Sequence, residues 1–311
     1  GYPPPPGYPP PPGYPPPPGY PPPPGYPPPP GYPSAWSPHP VHLAHLGSSV
    51  PGDEDDGLPP RTRADGGIWL VIALAGFLVG QVLSAVLLYV GAAATGNLSD
   101  VARLADRSVP PAWVVVCGLV GLWIGFSGAV VVASRARGTG SIRRDMRLEV
   151  RPWDVVIGPA VGLAFQLVLL PLLYLPLEYF IPHLSKRLSQ PAKHLTGGFP
   201  GADLVVIAVL TVVVVPVIEE MLFRGLVLRG FLRVFNGAGR LVGPVLACCA
   251  TGIVFGLAHF ELLELFGLAV FGVVLSWMAY KFRRLGPCIF AHAAFNLVAI
   301  LVVASSTGVI R

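Results

Sequence analysis

Apolar residues in this chain come in long unbroken blocks rather than in alternation or at every third or fourth position. The blocks cover residues 68–90, 112–134, 155–180, 204–218, 241–260, 265–280 and 287–304. Most approach the roughly 20 residues that a bilayer core demands of a helix. A helix that is apolar all round is buried in lipid or among other helices. The pattern therefore predicts an all-α, polytopic membrane protein with about seven transmembrane helices. The block at 204–218 is short by itself, and the expectation is that its helix continues through Glu219 and Glu220 toward Arg229.

Composition agrees, because 53% hydrophobic and 12% charged residues over 311 positions are too apolar and too sparsely charged for an ordinary soluble domain. Basic residues then orient the spans, since loops kept in the cytoplasm hold Lys and Arg. With the amino terminus inside, the cytoplasmic side collects Arg61 and Arg63, Arg135 and Arg137, Arg143 to Arg151, Arg224 to Arg240, and Lys281 to Arg284, leaving only Arg103, Arg107, Lys186, Arg187, Lys193 and Arg311 outside. The formal net charge of +5 requires no nucleic acid; the basic loops face anionic lipid. The stretch 135–151, with Met146 and Leu148 between its arginines and Trp153 just beyond, reads as a connection lying on headgroups. Cys117, Cys248, Cys249 and Cys288 fall inside apolar blocks without CxxC spacing and read as reduced, buried residues. Arg far outnumbers Lys, and with much Ala, Gly and Val this points to a high-GC bacterial source and to the cell membrane. No cleavable signal peptide is expected, and a chain opening on Gly1 rather than Met is read as a fragment or a processed form.

Three segments are expected. Residues 1–66 form a disordered cytoplasmic tail, 67–202 the first transmembrane helices and their loops, and 203–305 a core that carries the chemistry. The tail opens with five copies of Gly-Tyr-Pro-Pro-Pro-Pro. Runs of proline remove amide donors and set φ, which gives solvated polyproline II without a core. Such a tail is a spacer or a ligand for proline-reading or self-associating partners. His39, His42 and His45 have loose metal-ligand spacing within it, and the acidic run 53–56 reads as a solvated linker. The polar segment 182–200, rich in Pro and Gly, is placed outside, where it could cap a cavity.

Chemistry concentrates in the last apolar blocks. Ionisable residues inside a membrane segment are costly and mark functional sites. Glu219 and Glu220 are adjacent, Arg224 lies four residues after Glu220, Phe255 precedes His259 by four, and His292 precedes Asn296 by four. Residues four apart share a helix face, so Glu220 and Arg224 are expected to pair. Glu219 points about 100° away and stays available for another role. Phe255 is expected to pack beneath His259. Counted along ideal helices, Glu219, His292 and Asn296 reach similar depths. His259 fits worst, which predicts that its helix begins later than Leu241 or lies tilted.

These motifs, EExxxR, FxxxH and HxxxN in that order, resemble the CAAX protease and bacteriocin-processing family of intramembrane endopeptidases. The resemblance covers about 203–304 and implies a membrane-embedded peptidase in which Glu219 activates water, His259 helps hold that water, and His292 with Asn296 stabilises the oxyanion. Glu220 and Arg224 are assigned to orientation. Desolvation raises a carboxyl group's proton affinity, which suits a general base. The resemblance favours a mechanism that needs no cofactor; zinc on Glu219, His259 and His292 is the alternative the residues leave open. Eukaryotic members remove a tripeptide from prenylated proteins, but a prenylated substrate is not expected of a bacterial chain. Peptide maturation, bacteriocin immunity and cleavage of another membrane protein stay open, and the partners implied are a peptide or membrane-protein substrate and the bilayer. The same Glu/His cluster also suits a proton or cation site in a transporter, or a scaffold without turnover. Gly125-Phe126-Ser127-Gly128 resembles the rhomboid serine motif, yet Ser127 sits in an uninterrupted apolar block where small residues serve helix packing.

Overall fold

The computed structural model describes residues 63–98, 101, 110–188 and 201–306. The proline-rich repeats, the histidines at 39, 42 and 45, the acidic run 53–56 and most of 182–200 lie outside the described residues. Apolar helices dominate: α1 is Arg63–Ala94, α2 Ala112–Arg137, α3 Asp154–Phe180 and α4 Ala202–Val234. After them come α5, Val242–Leu257, α6, Leu265–Phe282, and α7, Gly286–Ser306. Five of these, α1 to α4 and α6, are long and apolar enough to cross a membrane. The other two expected spans are shorter apolar helices, α5 and the Gly286–Val302 part of α7. The helix from 204 does continue through the glutamates, to Val234.

Close pairs of helices build the bundle. α1 packs along α2, α3 along α7 and α5 along α6, and the second half of α4 lies against α1, α2, α5 and α6. Without a hydrophobic force between helices in lipid, such seams depend on small residues that let backbones approach. Gly125 is one of them, since a Cβ there would strike the backbone of Gly76 and Gly80 in α1. In the Gly-Phe-Ser-Gly run, Gly125 and the buried Phe126 serve this packing, while Gly128 faces open space. Ser84 adds a hydrogen bond across the same seam, its hydroxyl donating to Gly118 O at 2.7 Å. Between α5 and α6, Gly252 and Gly272 meet without side chains, which brings the Gly272 carbonyl close to the middle of the bundle.

The 135–151 connection differs from its expectation. It folds inward: Met146 and Asp145 are fully buried, and Met146 packs on Gly225 of α4. The cause is Asp145, whose carboxylate accepts hydrogen bonds from Ser134 Oγ at 2.6 Å and from Thr139 N and Oγ1 at 3.0 and 2.8 Å. A buried carboxylate so satisfied anchors a loop that charge counting places on the surface. Arg135, Arg137, Arg143, Arg144 and Arg151 stay exposed as expected, and so does Trp153 at 72%.

Two local departures from α-helical winding shape α4. π-helical turns occupy Leu210–Val214 and Met221–Val227, on either side of the glutamate pair. In the first, the Val215 amide bonds Leu210 O, five residues back. The next donor in that register would be residue 216, which is proline and has no N–H. The Thr211 carbonyl is thereby released from the helix and takes the Asn296 amide, Nδ2 to O at 2.9 Å, tying α4 to α7.

Candidate active site

The middle of α4 carries a four-residue polar chain inside an apolar bundle. Glu220 is fully buried, and its Oε1 accepts from Arg224 Nη1 at 2.8 Å and from His292 Nδ1 at 2.9 Å. The pairing expected from the four-residue spacing is present, and α7 adds a partner that spacing could not supply. Because Glu220 is held by an arginine and acts as a carboxylate, it accepts only, so His292 Nδ1 carries the proton it shares. His292 Nε2 is turned to Glu219, 3.9 Å from Oε2. That glutamate oxygen is buried and has no hydrogen-bond partner, although the side chain as a whole is 17% exposed.

Arg224 is held by three partners, the first of them Glu220. Its Nη2 donates to Gly272 O at 3.3 Å, and its guanidinium lies 4.4 Å from the centre of the Phe255 ring. Removing a charge from water costs several kcal/mol, and only good geometry with further hydrogen bonds offsets that; here the carboxylate, the glycine carbonyl and the aromatic face all contribute. Phe255 is the hub of the aromatic shell. Its ring is 5.8 Å from His292, 5.1 Å from Phe223 and 4.8 Å from His259, each at a steep edge-on angle. Phe271 takes the other side of His292 at 5.9 Å and stacks on Phe295 at 4.3 Å, so the imidazole has two aromatic walls.

His259 occupies a different position from the one helix counting implies. α5 begins at Val242, one residue after Leu241, and ends at Leu257, so His259 stands on the turn beyond it. Its Nδ1 donates to Phe255 O at 2.8 Å, a carbonyl that a continuing helix would give to a backbone amide. Phe260 follows with φ at 55°, in the left-handed region, and the helix cannot continue. Phe255 thus separates His259 from His292, and His259 keeps Nε2 for other use. Among the described residues, no three His, Cys, Asp or Glu side chains are grouped to hold a metal ion.

Asn296, one turn past His292, is engaged through one amide hydrogen with Thr211 O. Several contributors were not legible as motifs. Gly272 and Thr211 act through backbone carbonyls, Phe271 through its ring, and Tyr174 through a hydroxyl that donates to Leu263 O at 2.9 Å and accepts from Gly267 N at 3.0 Å. Tyr174 thereby ties α3 to the turn that carries His259. A tyrosine in an apolar helix is the kind of signal that marks such a contact, though it does not name the partner. On that turn Glu264 is pushed up to about 7, chiefly by burial and further by the Glu261 carboxylate.

Comparison with known families gives one finding. Residues 201–298 match the family described as type II CAAX prenyl endopeptidase, Rce1-like, a stretch that holds α4, α5, α6 and the first part of α7, with Glu219, Glu220, Arg224, Phe255, His259, His292 and Asn296 but not Tyr174. The chain carries a domain of this membrane peptidase family. Neither the curated proteins nor the solved structures return a match.

Proposed function

We propose that the chain is an intramembrane endopeptidase that hydrolyses a peptide bond with a water activated by Glu219. The observation that carries this reading is the buried Glu219 Oε2, without a hydrogen-bond partner and 3.9 Å from His292 Nε2, next to a Glu220 whose Oε1 is committed to Arg224 and His292 while its own Oε2 is likewise unpartnered. One carboxylate holds the histidine and the other is available for proton transfer. In the proposed step the water oxygen bonds to the scissile carbonyl carbon while its proton passes to Glu219, and Glu219 then returns that proton to the departing amine. The remaining amide hydrogen of Asn296 donates to the developing oxyanion, and His292, oriented from behind by Glu220, joins it as a donor only when Nε2 as well as Nδ1 carries a proton. His259, through Nε2, is the third polar group at the entrance, held there by its bond to Phe255 O. Glu220, Arg224 and Phe255 position these groups and do not exchange protons with substrate.

The substrate is a peptide or a membrane protein whose cleavable segment enters between the helices from the bilayer. We place the Arg- and Lys-rich ends of α2, α4 and α6 on the cytoplasmic side, as the positive-inside rule requires. The test is Glu219→Gln, nearly isosteric, assayed beside wild type stripped by chelator and verified metal-free by elemental analysis. Turnover is expected to be lost in the variant and kept in the stripped wild type. Cleavage by Glu219→Gln at the wild-type rate would remove Glu219 from the mechanism, and activity that returns to stripped enzyme only with zinc would move it to metal chemistry.

A further inference from the structure

Below the polar chain, where α4 and α6 end and α7 begins, lies a cavity of about 240 Å³. From α4 its wall receives Arg224, Arg229 and Arg233, and from the end of α6 it receives Lys281, Arg283 and Arg284. Arg147, on the inward-folded connection between α2 and α3, closes the far side. Among the described residues that line it, none is acidic. The remaining wall is largely apolar, with Met146, Leu228 and Leu285 among its residues.

Part of this clustering has a local explanation. Cations near helix C-termini are favoured by the macrodipole, which accounts for the basic residues in the last turns of α4 and α6. Glu220 engages Arg224, Asp154 engages Arg284 at 2.6 Å, and Arg233 and Lys281 lie on the Trp69 and Trp277 rings. These contacts hold the side chains in place, and the hollow they surround still gathers cations from three separate segments. Two backbone features add to the argument. Arg147 and Arg283 hold φ at 53° and 56°, the left-handed region that disfavours residues with a Cβ, and both line this cavity. Arg283 does so as the left-handed cap that ends α6, and Arg147 just past the helical turn at 142–145, so helix termination fixes where both side chains leave the backbone. Here the two strained segments are joined, Leu285 N donating to Arg147 O at 3.1 Å and Gly286 N to Glu149 O at 3.0 Å. The buried Arg224 Nε, moreover, has no hydrogen-bond partner.

The structure assigns to this cavity a phosphate group, carried by the headgroup of an anionic membrane lipid. Several guanidinium forks around one hollow match the several oxygens of a phosphate better than a single carboxylate does. Basic pockets between transmembrane helices at the membrane rim suit lipid headgroups, and the apolar part of the wall gives the start of an acyl chain somewhere to lie. Free phosphate shares the headgroup's chemistry and is the second source to be distinguished. Because Arg224 belongs to both the cavity wall and the Glu220 pair, the bound anion would sit one side chain away from the candidate active site.

The test uses the full chain, purified in detergent and freed of carried-over lipid. Native mass spectrometry compares retention of phosphatidic acid, phosphatidylcholine and oleate, and thermal unfolding is followed with inorganic phosphate. Phosphatidic acid is expected to be retained over both others, and this preference to fall about tenfold in the double variant Lys281→Gln, Arg283→Gly, which removes two exposed cations and puts glycine where the backbone is left-handed. Should the double variant not fold, Arg283→Gly alone is expected to fold and to show a smaller fall. A rise in unfolding temperature with inorganic phosphate, lost in the variant and without lipid preference, would assign the free anion to the same phosphate site. Equal retention of oleate and phosphatidic acid, or a preference that survives in a variant unfolding at the wild-type temperature, would overturn the assignment.

Discussion

Glu220 and Glu219 are neighbours with opposite duties, and single substitutions separate them. Glu220 accepts from Arg224 and His292 on one oxygen, all three being buried. Glu220→Ala leaves a buried guanidinium and an imidazole without their carboxylate, a loss of about 3–5 kcal/mol for a broken buried pair. The expected outcome is a clearly lower unfolding temperature in detergent, with Glu220→Gln milder because it still accepts a hydrogen bond. Glu219→Gln is expected to unfold at the wild-type temperature, and a similar fall in both would mean that Glu219 is structural. Glu264 gives a pH dependence. Its value in the fold, about 7, lies above the ordinary 4.5 of an exposed glutamate. A raised carboxyl contributes stability that is fully present below about 4.5 and is lost as pH rises through about 7. Unfolding temperature measured from pH 4.5 to 8 is therefore expected to decline through that window, and Glu264→Gln to flatten the decline.

At the scale of the element, α4 is where sequence and winding interact most. Pro216 has no N–H to give, the π turn before it leaves the Thr211 carbonyl without a helical donor, and Asn296 from α7 supplies one. Asn296→Ala leaves that carbonyl unsatisfied, at about 1–3 kcal/mol. Pro216→Ala restores an amide that can return to it. In a double-mutant cycle on unfolding, Asn296→Ala is expected to cost less in the Pro216→Ala background, with a coupling of about 0.5–3 kcal/mol. Strict additivity would show that Asn296 acts independently of the proline. The geometry also explains why Asn296 falls four residues after His292: one face of α7 serves Glu220 with the first residue and α4's broken ladder with the second.

For the whole molecule, the described helices place the site in a domain of a membrane peptidase family, and the first 62 residues contain none of its groups. Their composition cannot bury a core. Deletion of residues 1–62 is expected to leave the rate on a short peptide in detergent unchanged, while altering localisation or substrate capture in cells if the repeats recruit partners by raising effective concentration. A large fall in the detergent rate would show that the tail takes part in the active enzyme.

Apolar blocks were enough to read the helical membrane class, because a segment must satisfy its own backbone in lipid and so declares itself locally. The Glu220 and Arg224 pair was legible for the same reason, since residues four apart on one helix meet whatever surrounds them. The ends of α5, the inward fold at Met146 and the union of Glu220 with His292 were decided elsewhere. His259 caps its own helix, Asp145 gathers a loop that charge alone would place on the membrane, and α7 reaches α4 through contacts far apart in sequence. A basic cavity shared by three segments belongs to the same class of facts. Spacing along a chain determines what one helix presents on each face; which faces meet depends on packing against partners that no local pattern specifies.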